Sequence, residues 1–433
     1  MTIKKKYLAL IVLTFIVGLF FYKIDSIRQI AKNNFSDNSK RYLKILFFGE
    51  SRVEEIQKNQ NYKYMNYNQV ILPETQFTNI DLKTVKLPKL YDGNKTPQTF
   101  YIDFLDDDLI IVDTEGNFFL LDFQSLKKLD GSEWIKLNTN FDFNNKKINN
   151  LLRIKNDIFI SYSESTSEDC KTINIAKAKV SIEALKFDLF YKSDECQKKY
   201  GSGRLAAYKF NNKDGLLMTV DVDGAYIQDS KLREKAQERA QNPNSIFGKI
   251  IFIDYETKKH EIFSLGHRTP QGLVVYDNNI IATEHGPKGG DEINKIEYKK
   301  NYGWPIVSYG SLYGHQMEEE SPKDDYYYLK SHVKNGFKEP IFSFVPSIGI
   351  SQIVRVDESF SNKWQNNFLV TSLNGGSIYR VLFDDNFFKL IYLEKIYVGD
   401  RIRDIEYSKK LNLFALALEG NGGSVGILTN MPD

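Results

Sequence analysis

The sequence predicts an all-β fold, a six-bladed propeller, and three observations lead there. From about Thr96 onward, short runs of β-branched and aromatic residues are broken by Asp, Asn and Gly, as in TFYIDFLDDDLIIVDTEGNFFLLDF. The same texture recurs to the end of the chain in DIFISYSES, DGLLMTVDVDG, NNIIATEHG, NFLVTSL, SIYRVLFD and LNLFALALEG. Segments such as FFLLDF and GKIIFIDYETKKHEIFSL read as antiparallel hairpins, and helical crossovers between parallel strands are missing, which excludes a doubly wound sheet. Roughly 335 residues carry this pattern, and four-stranded blades take about 40 to 50 residues each, so six fit. A sandwich of this size would need far more strands per core. One charged helical insertion, SKLREKAQERAQNP, ends at Pro243 and reads as a surface excursion.

The chain has 433 residues, 42% of them hydrophobic, enough to bury a large core in one all-β domain or in two or three smaller ones. Its 58 basic and 56 acidic residues are spread along the chain and leave a net charge of +2. No basic stripe offers the phosphate-neutralising surface of a nucleic-acid binder, and that class is set aside.

Lys4, Lys5 and Lys6 precede an uncharged run from Tyr7 to Tyr22, the layout of a signal peptide or an amino-terminal membrane anchor. At about 1.5 Å per residue the run covers roughly 24 Å of a hydrocarbon core of about 30 Å, and Lys23 can snorkel so that Ile24 extends it. No small-x-small cleavage site follows, which favours an uncleaved anchor over residues 1–24. The rest of the chain is then expected on the periplasmic side of a bacterial inner membrane, or secreted or periplasmic if the segment is removed.

Residues 25–95 are polar and read as an arm with a helical stretch near 38–57, where Tyr42, Leu43, Ile45, Leu46 and Val53 form a stripe. The propeller is assigned to residues 96–433. Two cysteines, Cys170 and Cys196, suit an oxidising compartment and are expected to form one disulfide; two free buried thiols are the alternative.

Candidate chemistry is densest between Gly266 and Tyr313, in GHRTPQGL and then TEHGPKGGDEINKIEYKKNYGWPIVSYGSLY. Gly286, Gly289 and Gly290 beside Pro287 prevent regular pairing, so this loop follows a special path on which carbonyls can face a ligand. Asp291 and Glu292 add anionic oxygens, and an oxygen-only set suits calcium, which takes six to eight such ligands. A solvated acidic turn is the other reading of the same residues.

GHRTPQGL, EHGPKGGDEIN and NYGWP together resemble the signature of the soluble glucose and sorbosone dehydrogenases that use pyrroloquinoline quinone (PQQ), including the bacterial aldose sugar dehydrogenases. Further matches follow in the family's order: GSGRLA (201–206), PSIGIS (346–351), LNGGSIYRVLFD and GDRIRDIEY (399–407). The resemblance covers about residues 97–430 and implies a quinone over the central opening of a six-bladed propeller. It implies that Arg268, Arg401 and Arg403 grip the quinone carboxylates, as planar guanidinium forks do. Gln271, Ser347 and Asn374 map to cofactor-side positions. The resemblance also implies calcium on the quinone, held by carbonyls of Gly286 and Pro287, with further ligands at Asp291, Glu292 and Tyr302. Trp304 reads as core.

Departures from the family lie nearest the reacting atoms. The family's general base is a histidine four residues before the arginine of its GGRL-like motif, and counting back from Arg204 gives Tyr200. Imidazole accepts a hydroxyl proton near neutrality, whereas a phenol with a pKa near 10 would need strong depression. His285 lies in the cofactor loop and is not assigned as the base. Thr269 replaces an asparagine, Ile148 a glutamine, and Asn374 a lysine of some relatives.

Three functions are open at this point. The first is PQQ- and calcium-dependent oxidation of an aldose or related sugar to its lactone, passing electrons to an unknown downstream acceptor. The second is a lapsed propeller that binds a sugar, glycan or protein without turnover. The third is a calcium-dependent lactonase or esterase, on fold analogy.

Overall fold

In the middle strands of this protein apolar residues do not alternate with polar ones. Lys249–Asp254 (KIIFID) and Leu413–Leu418 (LFALAL) are buried at every position. A strand buried on both sides must pack a sheet on each face. The computed structural model describes residues 70–71, 75, 78–87, 99–123, 134–199, 201–223, 230–312 and 328–431, and in it these strands belong to six radially arranged sheets.

Blade one comprises Phe100–Leu105, Asp108–Asp113, Phe118–Leu121 and Trp134–Thr139, with Ala184–Leu185 added in parallel at its outer edge. Blade two is Lys146–Ile154, Asp157–Ser167, Cys170–Lys179 and Asp188–Gln197. Blade three is Leu205–Phe210, Lys213–Val220, Lys249–Asp254 and His260–Leu265. Blade four is Pro270–Tyr276, Asn279–Glu284, Asp291–Ile296 and Phe342–Phe344, and blade five is Ile350–Arg355, Asn367–Ser372, Ser377–Phe383 and Leu390–Tyr397. Blade six joins Ile402–Ser408, Leu413–Leu418 and Ser424–Met431 to a strand from far upstream, Asn79–Lys86, with Val70–Ile71 added antiparallel at its outer edge. The first strand of blades one to five and Ile402–Ser408 of blade six are innermost, and each touches the next around a closed ring.

Asn79–Lys86 corrects the expected boundary, because the sequence places it in the polar arm. It pairs antiparallel along its whole length with the last strand, from Asn79 opposite Met431 to Lys86 opposite Ser424. The compact unit containing the propeller begins at Tyr67. The expected anchor over 1–24 and the helical stretch near 38–57 lie outside the described residues, among which no helix is long and apolar enough to cross a membrane.

The core is a ring of interblade layers. Neighbouring residues on one strand serve different layers: Leu216 packs toward blade two and Leu217 toward blade four, while Ile280 faces blade three and Ile281 blade five. Ile80 and Leu82 enter the layer between blades five and six, and Val85 enters the one between blades six and one.

Helix α1 (Ser230–Glu238) falls in the expected insertion. Its end is anchored by Lys249, whose Nζ donates to the carbonyls of Arg239, Ala240 and Phe247 at 2.8, 2.9 and 2.8 Å. Cys170 and Cys196 are bonded, with Cα atoms 5.1 Å apart, and tie the two outermost strands of blade two together.

Candidate active site

Arg401 immediately precedes the inner strand of blade six and Arg403 lies within it, so a spacing of two sends both side chains the same way. They converge on one carboxylate: Arg401 Nε donates to Glu419 Oε2 at 3.0 Å and Arg403 Nε to Oε1 at 2.7 Å. Thr99 Oγ1 adds a third bond at 2.7 Å. Glu419 is fully buried; burial pushes its carboxyl up, but Arg403, Thr99 and Arg401 together hold it below the ordinary value. Both arginines are thus anchored to one carboxylate through Nε. Arg403 Nη1 also donates to Gln271 Oε1 at 3.3 Å, joining blade six to blade four.

Arg268 is held from blade four. Its backbone N–H donates to Glu284 Oε1, its Nη1 donates to the His285 carbonyl at 3.1 Å, and its guanidinium stands 5.3 Å from the Trp304 ring centre. Trp304 is buried, as expected. Glu284 Oε2 lies 2.9 Å from His267 Nδ1, and Ser264 Oγ lies 2.8 Å from His267 Nε2. This serine–histidine–glutamate order resembles a hydrolase triad, yet Ser264 and His267 are fully buried and the hydroxyl cannot meet a substrate. The array instead fixes the backbone that carries Arg268.

His285 lies within electrostatic reach of both blades' arginines. Burial lowers its basicity most; Asp291 opposes this, and the positive fields of Arg268 and Arg403 lower it further. Arg268 and Arg403 thus both lie near His285, and Arg401 is tied to Arg403 through Glu419.

The expected calcium ligands divide into two groups. Gly286 sits in a tight turn where an added Cβ would stand 2.3 Å from the carbonyl oxygens of Gly289 and Gly290, so only glycine permits this backbone path. The Gly286 and Pro287 carbonyls remain compatible with a hard cation. The side-chain half departs from expectation. Asp291 is fully buried, its Oδ1 accepts the Gly286 N–H at 3.0 Å, and its Oδ2 accepts Ser347 Oγ at 2.8 Å, Ile348 N–H at 3.0 Å and Ile350 N–H at 3.1 Å. This carboxylate clamps the PSIGIS loop to the glycine turn and has little left for a metal. The Tyr302 hydroxyl donates to the Lys295 carbonyl and accepts from Glu297 N–H, so it too is engaged. Glu292 Oε1 lies 3.4 Å from His332 Nε2, and Oε2 takes the Asn294 amide at 3.1 Å. The cavity beside Glu292 measures about 10 Å³, room for about one water, and is lined also by Trp304 and Val307. Among the described residues no three His, Cys, Asp or Glu side chains come together as a metal centre.

Of the remaining positions, Ser347 is spent on Asp291 and on the Gly349 N–H at 3.1 Å, while Asn374 is exposed on a loop of blade five. Ile148 is packed with Tyr101 and Tyr162 between blades one and two, leaving no polar group where the family has glutamine. Thr269 contributes its carbonyl to the His285 N–H at 3.0 Å. Tyr200 lies outside the described residues. Sequence reasoning missed Glu419 and the His267–Glu284 pair. The signal for Glu419 was chemical: two arginines on one face need a carboxylate behind them.

A family model described as glucose/sorbosone dehydrogenase matches residues 97–426. The aldose sugar dehydrogenase YliI of Escherichia coli is 30% identical over 176 residues, 40% of this chain and 44% of that protein. The chain matches about half or less of the length of the curated relatives it aligns with. Among solved structures, the apo form of the soluble aldose sugar dehydrogenase of Escherichia coli superposes with a TM-score of 0.61 at 18% identity, over 81% of this chain and 100% of that one. The PQQ-bound aldose sugar dehydrogenase of Streptomyces coelicolor gives 0.53 at 16% identity, over 83% and 100%. At these identities the superpositions speak to fold, and the fold they share is the propeller described above. The matched span takes in blades one to five and the first two strands of blade six, well over half of the chain, and on that ground this chain belongs to the glucose/sorbosone dehydrogenase family.

Proposed function

We propose that this protein oxidises an aldose or related sugar to its lactone with PQQ as the bound oxidant. The observation that carries this reading is the Arg401–Glu419–Arg403 fork together with Arg268, which donates to the His285 carbonyl while both it and Arg403 act on the His285 ring. PQQ is a planar tricarboxylate, and three guanidinium groups steadied by one buried carboxylate are a matching donor set. When bound, the quinone supplies acceptance of a hydride from the sugar carbon. The residues of the chain orient its carboxylates, and the Gly286–Pro287 carbonyls offer oxygens for a calcium ion beside it. Asp291 holds that turn in shape and is not itself assigned as a ligand.

The Cys170–Cys196 bond supports an oxidising compartment. We therefore read the propeller as exported, with residues 1–24 as its signal or anchor.

Purified protein titrated with PQQ and calcium should develop the absorbance of bound quinone and reduce a dye in the presence of one or more aldoses. Arg403→Met should weaken PQQ binding by 10-fold or more. Failure of the unmodified protein to bind PQQ would remove this reading. Binding without turnover across a broad sugar panel would favour the lapsed propeller, for which Ile148, sealed in the core, is the supporting observation.

A further inference from the structure

The turn that follows α1 is tied on three sides. Arg239 Nη1 donates to the Cys196 carbonyl at 3.0 Å and its Nη2 pairs with Glu195 Oε2 at 2.9 Å, both on the outermost strand of blade two. Ala240 is fully buried, and its carbonyl accepts twice, from Lys249 Nζ at 2.9 Å and from the Gly266 N–H at 3.0 Å. Gln241 and Asn301 exchange side-chain amide bonds at 3.2 and 2.7 Å, and the Gln241 amide also donates to the Trp304 carbonyl at 2.5 Å. Three consecutive residues thus join blade two, the core of blade three and the two segments that support Arg268.

Those two segments are fitted closely to each other. Gly266 stands two residues before Arg268, and its carbonyl accepts the Trp304 N–H at 2.9 Å. Its φ is 79°, and an added Cβ would stand 2.6 Å from the Gly303 nitrogen, so only glycine lets the backbone pass here. The next residue, His267, donates its N–H to the Gly248 carbonyl at 3.1 Å, directly beside Lys249. Trp304 in turn holds its ring 5.3 Å from the Arg268 guanidinium.

Lys249 is the unusual member of this network. Its side chain is fully buried and bonds to the carbonyls of Arg239, Ala240 and Phe247, and among the described residues no carboxylate forms an ion pair with it. Three N–H donors require the ammonium form. A charge buried without a counter-ion is costly. What the ammonium supplies in return is direction, because it fixes two successive carbonyls of the turn, one of which holds Gly266.

We propose that Lys249 and Gln241 are positioning residues for Arg268: they lock the Arg239–Gln241 turn and, through it, the Gly266–Arg268 segment and the Trp304 ring. The ligand in this inference, PQQ, rests on the dehydrogenase reading above; the mechanics rest on the bonds just described. A guanidinium fork grips a carboxylate only when the two planes are aligned. A small displacement of the backbone that carries Arg268 therefore weakens cofactor binding more than it slows the loaded enzyme.

The test compares the full-length unmodified protein with Lys249→Met, Gln241→Met and a control, Lys235→Met, which alters an exposed lysine of α1. PQQ affinity is read from the absorbance of bound quinone, and kcat is read at saturating PQQ and calcium. Lys249→Met should weaken PQQ binding by about tenfold or more and Gln241→Met by about threefold or more, each with kcat within about twofold of the unmodified value. Lys235→Met should match the unmodified protein in both. In the cofactor-free proteins, amide hydrogen exchange at 266–268 should be about tenfold faster or more in Lys249→Met and Gln241→Met, with Leu413–Leu418 of blade six unchanged. If Lys249→Met does not fold, Gln241→Met decides, since Gln241 is only half-buried and its loss leaves the Lys249 cage in place. The proposal is overturned if the variants bind PQQ as tightly as the unmodified protein, if exchange at 266–268 does not change, or if kcat falls as far as affinity does. Unmodified protein that binds PQQ alongside variants that bind it equally well removes the proposal alone. Unmodified protein that binds no PQQ removes the dehydrogenase reading and the proposal with it.

Discussion

Glu419 shows how much of this site depends on a single side chain behind the residues that face the ligand. Removing its charge leaves two guanidinium groups without their shared anchor, one of them, Arg403, with only 15% of its side chain exposed. Breaking a buried pair from one side is expensive, so Glu419→Gln should lower stability by on the order of 3 kcal/mol in urea denaturation. Arg401 is 39% exposed, and solvent screens its share of that figure. The sign of the pH dependence follows from the depressed carboxyl of Glu419. Its stabilising contribution is complete above the ordinary glutamate range and disappears as pH falls through the lowered folded value. The destabilisation caused by Glu419→Gln should therefore shrink as the solution is acidified below about pH 4, and PQQ affinity should fall at neutral pH because the fork is no longer held. The arginines were legible in the sequence because they stand in the motifs of the resemblance. Glu419 was not, because LALEG reads as an ordinary strand end and its partners lie 16 and 18 residues away in sequence. Asp291 was legible as important and misread in role: an acid beside glycines suggests a metal, whereas a buried acid with three N–H or O–H donors on one oxygen is a clamp.

At the scale of the element, the strands that pack blade against blade were readable and the strand that closes the ring was not. Runs such as KIIFID and LFALAL announce themselves, because burial on both faces removes the polar alternation that could be confused with a loop. Asn79–Lys86 has the sequence NIDLKTVK, in which two lysines and an aspartate sit among four apolar or β-branched residues. Its two lysines are exposed, so its local pattern merges with the polar arm before it, and its long partner strand lies at the opposite end of the chain. The structure assigns Leu82, 1% exposed, to the layer between blades five and six. Leu82→Ala should cost about 2 to 5 kcal/mol, far more than truncation of a flexible arm would. Equilibrium urea unfolding checks this, and hydrogen exchange should show the loss concentrated in Ser424–Met431, the strand that Leu82's strand covers.

Across the whole molecule, the ring needs something at its axis as well as between its blades. Counting strands could establish six blades; it could not show which charged side chains meet where the inner strands converge. Arg204, read from sequence only as a landmark for counting back to position 200, is that axial tie. It is buried, its Nη1 lies 2.7 Å from Asp404 Oδ1, its Nε donates to the Gln271 carbonyl at 3.0 Å, and its Nη2 reaches the Arg403 carbonyl at 3.5 Å. One side chain thus links blades three, four and six, next to the backbone of two cofactor-side residues. Burial pushes the Asp404 carboxyl up in spite of Arg204, and Asp103 and Glu406, raised chiefly by burial as well, lie close enough to add like charge to one another. Groups with raised folded pKa values bind more protons folded than unfolded, so the stability they carry is complete at acid pH and is lost as pH climbs through those values. Arg204→Met removes the one guanidinium paired with Asp404 and steepens that loss. At pH 8 the variant must keep a buried carboxylate charged without its partner and should be destabilised by about 3 to 5 kcal/mol. At pH 5 the carboxyl can take a proton, and the penalty should fall to a small part of that value. Denaturation at the two pH values decides the matter: a penalty equal at both would mean that Arg204 acts through packing on Tyr101, over whose ring its guanidinium lies at 5.5 Å, and not through the charge of the axial cluster.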